Sequence, residues 1–313
     1  MKKKMKLMGF AMLALSLSSC SQNETFENEV QSNLIKFRNL NERIPKSREA
    51  NDNQDNYGVY ATLNNGNASG WFMDQQEVDG KTDIYSPLKY WPLTGTIDFY
   101  AFAPYNSQTL DLSQVAWDAA NPNLNISYTV PTTADEDFTI VKPVTGKSSG
   151  EVTLVFVHQL SKVEFKAELT DDLKNDNFEL TLNSVTLKVP YNKGTNTLAK
   201  DNELWSNLEG TNVTYTGSSR YMIMPQPADG TEITLNVSIT HNSADYFMNK
   251  DLKTYKLTTT DLTAFLKSTH YVFKVTIGDA TSDGNDDPVF NVIRFNSNIV
   301  SWLPGSDINL ENP

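Results

Sequence analysis

What most constrains this chain is an alternation of apolar and polar residues with a period of two, repeated along most of its length. Tyr57, Val59, Ala61 and Leu63 share one phase; Ile97, Phe99, Ala101 and Ala103 share another; Val163, Phe165, Ala167 and Leu169 alternate with Lys162, Glu164, Lys166 and Glu168. Successive side chains of a strand point to opposite faces, so this pattern describes half-buried antiparallel strands. It recurs over 152–158, 178–189, 233–239 and 271–277. Within FELTLNSVTLKV the apolar phase switches between Leu182 and Val185, which predicts a bulge or turn at Asn183-Ser184. A single short helix is expected at Asp261 to Lys267, with Thr260 or Asp261 as its N-cap. Strands at regular spacing, divided by Asn, Gly, Asp and Pro turns, make this an all-β chain of sandwiches. One sandwich takes about 100 residues, so 313 residues imply two in tandem. The expected division is 33–160 and 161–313, at the turn His158-Gln159-Leu160-Ser161.

Composition removes several function classes. There are 26 Lys and Arg against 38 Asp and Glu, a formal charge of -12, and such a field repels phosphate, so no nucleic acid partner is expected. The only cysteine is Cys20, which excludes an intramolecular disulfide framework, a cysteine-based zinc site and a CxxC redox pair.

Cys20 instead belongs to the N-terminal pattern. Lys2, Lys3, Lys4 and Lys6 precede an apolar run from Leu7 to Leu17, which ends in Ser18-Ser19-Cys20. A basic region, a short apolar region and small residues before the break define a secretory signal, and the run is too short to span a bilayer as a helix. The position of the cysteine resembles a bacterial lipobox, in which the thiol is acylated, so residues 1–20 are expected to be removed up to a lipid-bearing Cys20. The polar stretch 21–32 then serves as a flexible spacer.

The first strand expected is Leu34 to Leu40, with Ile35 and Phe37 on one face and Lys36 and Arg38 on the other. The segment after it, Asn41 to Asn56, carries Arg43, Lys46 and Arg48 amid Pro, Asn and Asp, the composition of an exposed loop open to proteases.

Motifs for catalysis fail on context. Gly146-Lys147-Ser148-Ser149-Gly150 fits GxSxG, but a nucleophile elbow needs a helix after it, and here the strand pattern EVTLVFV follows; a turn between strands is expected. The same Gly-Lys-Ser is not a phosphate loop, because Val141 stands where the first glycine is required. His158, His241 and His270 lie far apart with no HxH or HExxH spacing. The acidic run 283–287 lacks the calcium-loop ligand at its twelfth position, which is Arg294, and Asp135, Glu136 and Asp137 are likewise assigned to solvated loops. No enzyme, cofactor or metal is expected. Trp71, Trp91, Trp117, Trp205 and Trp302 could form a sugar-stacking platform, but most flank strands or prolines, where core packing is the better expectation. A surface glycan-binding lipoprotein using Trp71 or Trp117 is the alternative function.

Two segments carry a resemblance. Tyr90-Trp91-Pro92-Leu93 with Ile97 to Pro104 (YWPLTGTIDFYAFAP), and Val155 to Val163 (VFVHQLSKV), resemble the fimbrillin family of Bacteroidetes surface proteins. The lipobox, the Ile35-x-Phe37 strand, Met224-Pro225-Gln226-Pro227 and Ile299-Val300-Ser301-Trp302 fit the same family in the same order.

The resemblance implies two transthyretin-like β-sandwiches in a structural and adhesive fimbrial subunit at the outer membrane and cell surface, held there by a lipid anchor. Its partners would be other fimbrial subunits and a ligand on a host or bacterial surface. It further implies that a trypsin-like protease removes the first strand, here Leu34 to Leu40, by cutting after Arg48, with Arg43 as second choice. An extended segment of a neighbouring subunit would then fill the vacated groove. The C-terminal segment Val289 to Leu310 is the expected donor. It continues only three residues beyond Leu310, so stalk, tip and anchor positions all stay open.

Overall fold

A computed structural model describes residues 33–41, 55–66, 70–118, 122–132, 136–199, 205–258, 261–279 and 290–301. Among the described residues the regular structure is almost all strand, with one short helix. In order, the first part runs β1 (Lys36–Asn41), β2 (Tyr57–Asn64), β3 (Met73–Val78), β4 (Thr96–Ala103), β5 (Leu110–Asp111), β6 (Asn125–Thr129), β7 (Thr139–Val141), β8 (Val144–Lys147) and β9 (Glu151–His158). The second part begins with β10 (Ser161–Leu169), the short helix α1 (Asp171–Asn175) and β11 (Phe178–Val189). It continues with β12 (Lys193–Thr197), β13 (Ser206–Glu209), β14 (Val213–Ser218), β15 (Arg220–Ile223), β16 (Gln226–Pro227) and β17 (Glu232–His241). The last elements are β18 (Ala244–Asp251), β19 (Tyr255–Lys256), β20 (Ala264–Phe265), β21 (Thr269–Asp279) and β22 (Phe290–Ser301).

The first sheet has seven strands in the order β1-β9-β7-β4-β2-β3, with β8 also on β4. Its strands use both phases of their alternation. Ile97, Phe99 and Ala101 of β4 enter one buried cluster together with Ile35 and Phe37, whereas Tyr100 and Phe102 of the same strand enter a second. A strand buried on both faces loses the clean apolar-polar alternation and becomes a near-continuous apolar run, which is why β4 reads IDFYAFA.

From the first sheet the second cluster continues between two further sheets, β15-β10-β21-β22 and β14-β11-β17-β18, the latter with β19 on β17. Phe165 of β10 stacks on Phe273 of β21 at 5.3 Å, and Val185, Leu187, Leu235 and Val237 face them from β11 and β17. Two apolar sheet faces closing on each other form the layered core of an all-β fold. A fourth sheet, β13-β12-β6-β5, takes β6 from before residue 160 and β12 from after it, with Asn125–Thr129 paired antiparallel to Lys193–Thr197.

The connector from β9 to β10 is buried and held by several hydrogen bonds. Gln159 donates its amide N–H to Phe138 O at 2.9 Å, accepts the Trp205 indole N–H on its carbonyl at 2.7 Å, and accepts Asn196 Nδ2 on its side chain at 3.2 Å. Such a linker holds its shape because the buried polar groups of Gln159 find partners.

Several local expectations meet the structure directly. The register of β11 against β17 shifts between Leu182 and Ser184, where the apolar phase changes. Gly146 to Gly150 closes β8 and turns into β9, with Gly146 at φ 68° and Gly150 at φ 81°, values that only glycine adopts without strain. The helix expected at Asp261 to Lys267 is not there. Asp261 instead closes a single turn, accepting Thr258 N and Oγ1 at 2.8 Å each, and Ala264–Phe265 pairs with Gln226–Pro227 as β20. Tyr271 Oη accepts Leu266 N and donates to Ala264 O, so tertiary bonds take the backbone groups a helix would have used. The helix that does form, α1, carries Asp171 and Asp172 in its first turn, where the helix dipole favours negative charge.

Candidate functional site

β1 ends the seven-stranded sheet and pairs in parallel with β9, from Lys36 opposite Glu151 to Asn41 opposite Phe156. Its inward residues are those the alternation selected: Ile35 is fully buried and Phe37 is 4% exposed, while Lys36 and Arg38 face solvent. Phe37 sits among aromatic rings, 5.8 Å edge-on from Phe99, 5.3 Å from Tyr85 and 6.5 Å from Tyr57. Edge-to-face contacts of this kind add to the apolar area they bury.

The edge of β1 that faces away from β9 is bonded by residues 79–91, which act as a strap. Ile35 N donates to Lys89 O at 3.0 Å and Trp91 N donates to Asn33 O at 2.8 Å, with Leu34 bridged antiparallel to Tyr90. Tyr85 Oη donates to Ile35 O at 2.7 Å, and its ring closes the hollow over Phe37. Further along, Asn39 Nδ2 donates to Gly80 O at 2.8 Å and to Asp83 Oδ1 at 3.0 Å. Asp83 Oδ1 also accepts Tyr57 Oη at 2.8 Å. Burial, and then the charge of Asp83, hold the Tyr57 phenol well above the usual phenol range, so it remains a donor. The start of the strap is preformed: Asp79 accepts Lys81 N, Thr82 N and Thr82 Oγ1, bonds that hold its carboxyl below the usual range. Ile84 and Leu88 of the strap, and Leu93 just after it, are exposed.

Without β1, its neighbours would surround an empty slot. One wall is the β9 edge with its N–H and C=O groups unpaired; the other is the strap; the floor is Tyr57, Phe99 and Phe156. An extended segment can enter such a slot by main-chain pairing, with specificity from alternate side chains.

The other expected site residues fall as follows. Cys20, Arg43 and Arg48 lie outside the described residues, as do the acidic run 283–287 and Trp302. The expected donor 289–310 needs correction over most of its length: Phe290–Ser301 is β22, paired antiparallel along β21, so its backbone is already engaged in this chain's own sheet. Of the tryptophans, Trp91 and Trp205 are buried, Trp91 edge-on to Phe99 and Trp205 bonded to Gln159; Trp71 is partly buried against Tyr60 at 5.0 Å. These three serve packing, which removes most of the sugar platform. The histidines stay apart: His158 pairs with Asp137, His241 stacks on Phe178 at 4.2 Å, and His270 lies 3.1 Å from Glu164. Among the described residues no group of three or more His, Cys, Asp or Glu could hold a metal ion. Asn39, Asp83 and Tyr85 went unnoticed in the sequence, since nothing local links positions so far apart.

Comparison with known proteins agrees with this architecture. A model of the family described as fimbrillin-like matches residues 44–302. No protein of curated function matches the sequence. The fold is similar to that of a fimbrial protein from Bacteroides vulgatus ATCC 8482, at 15% identity and a TM-score of 0.56, covering 86% of this chain and 99% of that one. It is equally similar to a candidate cell adhesion protein from Bacteroides uniformis ATCC 8492, at 15% identity and a TM-score of 0.56, covering 86% of this chain and 98% of that one.

Proposed function

Given that the chain belongs to the fimbrillin-like family, we propose that it is a structural, non-catalytic subunit of a cell-surface fimbria that accepts a strand from a neighbouring subunit. The observation that supports this most is β1: a terminal strand of its sheet, buried through Ile35 and Phe37, followed by a segment bearing Arg43 and Arg48. In this reading the chain is exported as a lipoprotein acylated at Cys20, carried to the outer membrane, and built of two transthyretin-like sandwiches dividing near residue 160. Cleavage after Arg48, or after Arg43, frees β1. Each large apolar side chain withdrawn forfeits about 1.5–3 kcal/mol of burial, which returns only when another strand enters, so assembly runs downhill. The partners are other fimbrial subunits, with adhesion to a surface ligand as the filament's purpose.

Brief trypsin treatment of the purified mature protein tests the reading. The expected result is cutting at Arg48 or Arg43 with the rest of the fold intact, followed by oligomers. Resistance at both arginines with no oligomer at any time would overturn the polymerising role. The mass of the protein taken from cells reports acylation at Cys20 in the same preparation.

A further inference from the structure

Apolar alternation alone leaves the position of a strand in the groove underdetermined. A slip of one residue turns Ile35 and Phe37 outward and is forbidden by burial. A slip of two keeps every apolar residue on the inner face, so an alternating donor could settle in either place. Something fixed must mark the correct register.

The groove has such a mark at its far end. Asn39 shares the inner phase with Ile35 and Phe37, yet it faces a carboxylate and a carbonyl: its Nδ2 bonds Asp83 Oδ1 at 3.0 Å and Gly80 O at 2.8 Å. Neither acceptor belongs to β1 or to β9. Asp83 is held from two directions outside β1: its N–H donates to Asp79 O at 2.8 Å and Tyr57 Oη donates to Oδ1 at 2.8 Å. The acceptor pair would therefore stay in place when β1 leaves. Any strand offers Asp83 Oδ2 the long backbone contact that Asn39 N makes at 3.4 Å, but one with an apolar residue there would strip water from the carboxylate and the Gly80 carbonyl and return neither side-chain hydrogen bond.

We propose that Asp83, with Gly80 O, is the register-determining residue of the groove, and that the groove takes an extended segment of the pattern branched aliphatic, any, aromatic, any, side-chain N–H or O–H donor. The inference rests on the strand-accepting reading above and adds the chemistry of the partner to it. The apolar pair supplies affinity in either of two registers; the donor two residues beyond the aromatic selects one. Asp83 is a positioning residue in this scheme and takes no part in cleavage.

The test uses the full chain with a specific protease site introduced between residues 42 and 54, cut so that both pieces remain together. A labelled peptide of residues 33–41 and its Asn39→Leu form then compete for the groove, followed by fluorescence anisotropy. The parent peptide is expected to displace β1 and to bind about tenfold or more tightly than the Asn39→Leu peptide, the scale of a lost hydrogen bond to a charged group. Asp83→Ala in the chain should shrink the difference to what the Gly80 carbonyl alone supplies. If both peptides bind the unaltered chain within about twofold of each other, Asp83 does not select and the inference falls, while strand acceptance stands. If the parent peptide never displaces β1, strand acceptance itself fails and takes the inference with it. The peptide pair on the unaltered chain decides the matter even if Asp83→Ala does not fold.

Discussion

The phenol of Tyr85 donates to the backbone carbonyl of Ile35 at 2.7 Å, inside the protein and across the strap that closes over the first strand. Removal of that hydroxyl leaves the Ile35 carbonyl buried without this donor. Tyr85→Phe keeps the ring against Phe37, so only the hydroxyl's hydrogen bonds are lost, the short one to Ile35 O and the longer ones to Lys89 O and N, at about 1–3 kcal/mol for a buried polar group deprived of its partner. Urea denaturation of the full chain should show a lower midpoint with an unchanged slope. An unchanged midpoint would mean that water or another donor replaces Tyr85.

Phe37 contributes more. Its ring is surrounded by Tyr57, Tyr85 and Phe99, and Phe37→Ala leaves a hollow those rings cannot close; the expected cost is about 3–5 kcal/mol. Hydrogen exchange of the β1 amides should accelerate ahead of the rest of the sheet. Uniform acceleration across the molecule would instead mean that β1 does not open by itself.

Gly58 lies in β2 directly under Phe102. A Cβ there would stand 2.4 Å from Cζ of a ring that is itself fully buried, so Gly58→Ala forces the ring or the strand to move. The expected loss is about 1–3 kcal/mol by overpacking. Thermal unfolding measures it; a neutral result would show that the Phe102 pocket has slack.

His270 gives a pH dependence. Burial first, and then the cation of Lys162, hold its imidazole below the ordinary value of 6.5. As pH falls through 6.5 the unfolded chain takes up its proton before the folded one, so stability declines from there down to the folded value and levels off below it. His270→Gln should flatten that part of the stability curve. An identical slope in the two proteins between pH 6.5 and pH 5 would assign the effect elsewhere.

How much of this was legible in the sequence depended on how local the cause is. Burial of Ile35 and Phe37, the shift at Leu182/Ser184 and the turn at Gly146 to Gly150 were all readable, because strand parity and glycine conformation act within a few residues. The parallel partner of β1 was not, since β9 carries no mark in sequence that names β1. The same holds for Asp83, whose meaning comes only from Asn39 folded against it. The helix expected at 261–267 failed for the opposite reason: its local preference was real, but pairing with Gln226–Pro227 and the Tyr271 hydroxyl outweighed it. In contrast, Thr170-Asp171-Asp172 ahead of Leu173 and Lys174 was a readable helix start that the surrounding alternation masked.

Because the ladder between β6 and β12 joins residues on either side of the β9–β10 connector, the chain has no free hinge at its midpoint. A pull applied to its two ends would load those rungs along with the buried Gln159 crossing before the halves could part. Truncation near residue 160 should accordingly give two sticky fragments with raw sheet edges, where a beads-on-a-string protein would have given two tractable ones.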